Sequence, residues 1–153
     1  MLKGGKAGKQ AEKDILIKGM DRKHTFYVVG IPKEFSAKFG KKVTIIVDNK
    51  FFTGKLKELF GETADVMHEK ITVELIKKLL DKQSLICHID DNLLGDYSHS
   101  SHFIVLEKIH RGRIVIIDPI FGKRTAISEE KLAKAIESLK KHVKMCPLIM
   151  FIK

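Results

Sequence analysis

The sequence predicts an α+β fold built as a single domain over residues 1–153. Two observations lead there. Short runs rich in β-branched and apolar residues recur at 43–47, 85–89, 103–106, 114–117 and 148–152. Segments with helical spacing, several of them opened by a capping residue, lie between some of these runs. The helices come early, in residues 15–83, and strands dominate residues 84–153. The expected architecture is therefore an antiparallel sheet in the C-terminal half, packed by helices.

Residues 1–14, MLKGGKAGKQAEKD, are polar and glycine-bearing and read as a mobile tail. Ile15–Ile17 and Thr25–Val29 read as short strands. Pro32 opens a short helix that carries Phe35 and Phe39 on one face and closes at Gly40. Val43–Val47 is a continuously apolar strand. Asp48 and Asn49 can cap the next helix, where Phe52, Leu56, Leu59 and Phe60 recur at helical spacing. Thr72 caps a helix whose Ile76, Leu79 and Leu80 form one stripe. Leu85–Ile89 is a strand, and a polar loop, 90–101, follows it. Ser128 caps a helix with Glu129 and Glu130 in its first turn, where they meet the positive end of the dipole. Pro147 precedes the last strand, Leu148–Ile152.

Composition excludes several classes. Hydrophobic residues make up 44% of the chain and mean hydropathy is −0.07, a globular balance. No apolar run approaches the ~18 residues of a membrane span. The basic N-terminus has no apolar h-region, so it is not a signal peptide. The two cysteines, Cys87 and Cys146, form no disulfide framework and point to a reducing, cytoplasmic setting. Net charge is +10 and uneven: residues 1–60 hold 14 Lys/Arg against 6 Asp/Glu, residues 61–110 hold 5 against 9, and residues 111–153 hold 10 against 4. That balance raises nucleic acid as a partner. The lysines are scattered and arginine is scarce, so a solvated surface explains them more simply. No cofactor is expected. Zinc sites favour cysteine-rich sets, which are missing, and His99 and His102, three apart with His88, Asp90, Asp91 and Asp96 nearby, specify no metal.

Chemistry concentrates in SHFIVLEKIHRGRIVIIDP, residues 101–119. Two apolar runs flank His110-Arg111-Gly112, the pattern of a hairpin. A three-residue loop ending on Gly112 pairs Ile109 with Arg113 and sets Asp118 opposite Ile104. His102 then lies diagonally from Asp118 on the same face, at roughly 7–8 Å between backbones. A carboxylate at that reach can hold an imidazole in one tautomer. A two-residue loop would move Asp118 to the other face. Cys87 is the one cysteine upstream of this pair, but it falls inside a strand, where a thiol is usually a small hydrophobe.

Residues 84–128 resemble the C-terminal half of the double-glycine leader peptidase domain, a papain-like cysteine peptidase of bacteriocin-exporting ABC transporters. Ile86-Cys87-His88-Ile89 stands where that family has Ile-Ala-His-Val. His102-Phe103-Ile104-Val105 is similar to its His-Tyr/Phe-Val-Val, and Ile116-Ile117-Asp118-Pro119 to its Ile-x-Asp-Pro. Gly122-Lys123 and Ser128-Glu129-Glu130 continue the agreement. The resemblance implies a papain-like fold, His102 as general base and Asp118 as its orienting carboxylate. In the N-terminal half, Gln10 followed by Glu12-Lys13-Asp14 is similar to the family's entry and makes Gln10 the oxyanion candidate. Ile15 and Leu16 then stand where the family has its nucleophilic Cys and a Gly.

Three readings stay open. The leading one is a degenerate peptidase-like domain whose groove binds a peptide or leader segment, with a membrane transporter as the implied partner. The second is an active cysteine hydrolase that uses Cys87 or a segment from another chain. The third is a nucleic-acid-binding module on the basic first 60 residues.

Overall fold

The computed structural model describes residues 30–95, 98–120 and 122–152. The expected tail, the strands at 15–17 and 25–29, Gln10 and Ile15 lie outside the described residues. Helix α1 (Gly30–Phe39) is followed by β1 (Val43–Val47), α2 (Lys50–Phe60), β2 (Ala64–His68), α3 (Val73–Leu80) and β3 (Leu85–Asp90). A 3₁₀ turn at Asp91–Leu94 leads towards β4 (Ser101–His110), β5 (Arg113–Ile117), β6 (Arg124–Ile127) and α4 (Glu129–Ser138). A π-helical turn (Leu139–Val143) extends α4 before β7 (Leu148–Ile152).

The caps form as their chemistry requires. Asn49, Thr72 and Ser128 each sit in extended backbone and accept from the N–H three residues on: Phe52, Leu75 and Lys131.

One seven-stranded sheet runs in the order β2-β1-β7-β3-β4-β5-β6. The fold is α+β as expected, but the sheet is not confined to the C-terminal half. The early strands β1 and β2 extend it as a parallel pair, so the sheet is mixed. The last strand, β7, lies between β1 and β3 and is antiparallel to both. Two short strands, β2 and β6, are additions to the expected set. In β2 only Ala64 and Val66 are buried, too weak an alternation to register against the polar residues around it.

Around β1 and β7 the sheet is covered on both faces, and for this reason the two strands read as near-continuous apolar runs, interrupted only by Thr44. Helices α3 and α4 pack on one face. Their Ile76, Leu80, Leu132, Ala135 and Ile136 meet Leu85, Cys87, Ile89, Ile104, Leu106, Ile114, Ile116 and Ile149. On the other face, Phe35 of α1 and Phe52, Leu56 and Phe60 of α2 meet the alternate residues of β1 and β7.

The hairpin differs from expectation in one respect and agrees in another. Its loop has two residues, because His110 pairs with Arg113. Arg111 and Gly112 both have positive φ, 50° and 70°, the signature of a type I′ turn matched to strand twist. With that loop alone, Asp118 would leave the face of His102. A bulge intervenes: the ladder shifts by one residue between Leu106 and Lys108. Beyond it Leu106 faces Ile116 and Val105 faces Ile117, so the next step sets Ile104 against Asp118. The loop is one residue shorter than predicted and the bulge restores that residue.

Glu107, at the bulge, is tied twice. Its carbonyl accepts from the Ser84 hydroxyl at 3.3 Å, and its carboxylate meets the Arg124 guanidinium at 2.7 Å.

Gly112 has open space around its Cα but needs φ +70°. Gly112→Ala is expected to destabilise by about 1 kcal/mol. Gly54 lies in the interior of α2, also with open space, and Gly54→Ala is expected to stabilise by about 0.5–1 kcal/mol. Urea midpoints with unchanged slope measure both.

Candidate functional site

His102 is the second residue of β4, and Asp118 follows β5 directly. The structure brings them together: His102 Nε2 lies 3.2 Å from Asp118 Oδ1. Both side chains are largely buried, with 10% and 15% of their surfaces exposed. The contact is close but off the N–H line, so Nε2 makes no aligned hydrogen bond. The carboxylate is anchored independently of the ring. Its Oδ1 accepts from the Ile120 N–H at 2.9 Å, and the Asp118 N–H donates to the Lys123 carbonyl at 2.9 Å. That Asx turn is local chemistry of Asp-Pro-Ile, closed by Gly122 at φ +61°. With Nε2 against the carboxylate, Nδ1 is the ring nitrogen left to meet another group.

Cys87 shares the face of His102. It pairs with Ile104, while its neighbour Ile89 pairs with His102 itself. Its thiol is fully buried in the apolar core, and burial pushes its pKa up to about 12. The sulfur lies 4.0 Å from the His88 carbonyl. At neutral pH this is a protonated core thiol. Cys146 is half-buried, and burial first, then Asp48, raises its pKa as well. Its sulfur donates to the Pro147 carbonyl at 3.4 Å.

His88 turns to the opposite face and is almost fully buried. Its ring stacks on Phe103, centroids 4.5 Å apart and planes within 9°. Nδ1 lies 3.0 Å from the Cys146 carbonyl, and Nε2 lies 3.0 Å from the Ser101 hydroxyl. A carbonyl only accepts, so Nδ1 carries the proton and Nε2 accepts from Ser101. Burial lowers the pKa of His88, opposed by the Cys146 carbonyl and aided by His102.

No family model, curated protein or solved structure matches this chain. The site is therefore read from its own chemistry.

A second imidazole–carboxylate pair lies at the same end of the sheet. Asp90, the last residue of β3, is fully buried, and its Oδ2 lies 2.6 Å from both His99 Nδ1 and the Ser138 hydroxyl. Its Oδ1 accepts from the backbone N–H groups of Asn92 and Ser100, at 3.1 and 3.2 Å. Burial would raise its pKa, but the hydrogen bonds from Ser138, His99 and Asn92 outweigh it and hold the carboxyl below its usual range. His99 thus belongs with Asp90, and His102 with Asp118. Asp91 is engaged by Ser100, whose hydroxyl donates to it at 2.8 Å.

This is not a hydrolytic Ser–His–Asp triad. Ser138 and Asp90 meet the same ring nitrogen of His99, whereas a triad needs them on opposite ones. The sequence offers a weak signal for this cluster, two aspartates directly after a buried strand. Nothing local links them to Ser138, 48 residues away.

His88 and Asp90 both have lowered pKa values, so the unfolded chain takes up their protons more readily than the native one. Stability is then complete above the ordinary values and falls on acidification. The first loss is expected below the histidine value of 6.5 and the second below the aspartate value of 3.8. Urea unfolding measured across pH checks this, and His88→Gln should flatten the first limb. Asp90→Ala should cost about 3 kcal/mol at neutral pH, because it orphans several buried donors.

Proposed function

We propose that this chain is a peptide-binding domain of papain-like type that keeps a histidine–carboxylate pair and lacks a thiol nucleophile. The observation that carries the reading is the His102–Asp118 contact of 3.2 Å, formed in a chain whose two thiols are both held protonated. The pair alone can orient an imidazole, but it has no activated sulfur to deliver to a carbonyl. What remains is recognition: a largely buried imidazole, a fixed carboxylate and, beside them, the exposed side chain of Ile120. By the likeness of residues 84–128 to leader peptidases, the ligand is an extended leader segment ending in Gly-Gly. The partner that carries the segment is an exporter.

Calorimetric titration with a double-glycine leader peptide tests this, with mass spectrometry of the peptide afterwards. The expected result is saturable binding with the peptide intact. His102→Ala or Asp118→Ala should weaken binding about tenfold, some 1.4 kcal/mol, and Cys87→Ser should leave it unchanged. Absence of binding sinks the proposal. Cleavage that Cys87→Ser abolishes replaces it with the cysteine hydrolase.

A further inference from the structure

The groove beside Asp90 is separate from the His102–Asp118 pair, and the inference drawn from it does not rest on the peptide reading. The groove encloses about 300 Å³, near the lower end of small-molecule sites. One wall is a single face of α4 and its π-turn, carrying Lys134, Ser138, Lys141 and His142 at helical spacing. The other wall carries Asn92 and His99, from the chain that follows β3.

Asp90 lies behind this lining and sets the chemistry of its central group. A carboxylate can only accept, so at 2.6 Å His99 Nδ1 must carry a proton. The opposite nitrogen, Nε2, is then the one turned away from the buried carboxylate and available to the groove. The ring is 42% exposed, which agrees with that orientation.

The His142 ring stacks on His99, with centroids 4.3 Å apart and planes within 12°. Two imidazoles this close repel one another when both are charged, unless an anion lies between or beside them. Lys134 and Lys141 add two ammonium groups. Lys134 is bonded to Glu130 at 2.6 Å, whereas Lys141 has no ion pair among the described residues. On the acidic side, Asp90 is already engaged by four donors, and among the described residues Glu137 is the one carboxylate lining the groove. The lining therefore presents mainly hydrogen-bond donors and positive charge, and it converges from two walls.

We propose that this groove binds a small phosphate or phosphomonoester. A tetrahedral dianion offers acceptor oxygens in several directions at once. It can accept from Lys141 Nζ and the His142 ring of the helix wall and, where the His99 ring carries a proton on both nitrogens, from His99 Nε2 of the loop wall. A planar carboxylate offers two oxygens in one plane and cannot span both walls equally. Glu137 opposes any anion here, so it limits affinity.

The test is ¹H NMR of the histidine ring protons during titration with inorganic phosphate, against sodium chloride at equal ionic strength. Phosphate should shift the His99 and His142 signals saturably and leave His110, at the far end of β4, unmoved. Lys141→Gln should weaken binding about tenfold and Glu137→Gln should tighten it several-fold; both residues are exposed, so the fold is retained. Matching shifts with chloride overturn the proposal, as does binding unaffected by Lys141→Gln. Acetate competing as well as phosphate overturns it too, because the groove would then be a carboxylate site.

Discussion

One extra residue in β4 reconciles two demands that a regular hairpin cannot meet together. The type I′ turn at Arg111-Gly112 matches the twist of its strands and fixes a two-residue loop. The core requires Ile104 and Leu106 to face Ile116 and the helices α3 and α4. Without the bulge, a side-chain period of two would turn Phe103 and Val105 into that core and carry His102 and Asp118 to opposite faces. The bulge at Glu107 lets the tight turn and the packed face coexist. The Ser84 hydroxyl and the Arg124 guanidinium grip that residue from either side. The ion pair with Arg124 is partly solvated and adds little by itself. The register is held mainly by the apolar residues on both sides of the bulge.

The two imidazole–carboxylate pairs show how environment divides similar chemistry. Asp118 is held by a turn at the rim, and its imidazole reaches it from a strand. Asp90 is completely enclosed and serves as the junction of β3, the 3₁₀ turn, the loop before β4 and the end of α4. A buried anion with four donors is costly to disturb, so Asp90 acts first as a fastener of that corner. Between the two pairs, Cys87 and His88 point to opposite faces of one strand. The thiol is kept protonated by apolar packing, and the imidazole is kept neutral by burial.

What the sequence makes legible here is what depends on neighbours along the chain. Asn49, Thr72 and Ser128 are short-range caps, and the helices they open fall where expected. The near-continuous apolar runs at 43–47 and 148–152 reveal strands, and in retrospect they also reveal burial on both faces. Their partners are not legible. Nothing in Leu148–Ile152 says that it inserts between β1 and β3, because that choice is made by surfaces about a hundred residues apart. The relation of His102 to Asp118 was expected through a loop of the wrong length, and the bulge was invisible because Glu107 and Lys108 carry no glycine to mark it. The Asp90 cluster escaped for the same reason as β7: Ser138 and His142 come from a distant helix.

The position of β7 has a consequence for how the chain acquires its structure. The β1–β2 pair and the block from β3 to β6 are joined in the sheet only through this strand, the last one described. Each block can form its own ladder from residues close in sequence, but closing the sheet requires contacts of very high sequence separation. Such closure is slow, and until it occurs both blocks present an open backbone edge. During synthesis the amino-terminal pair leaves the ribosome roughly eighty residues before its partner strand, at ~5–20 residues per second. For several seconds Val43–Val47 is therefore an apolar strand without its neighbour, and the nascent chain is most exposed to misassociation over that interval.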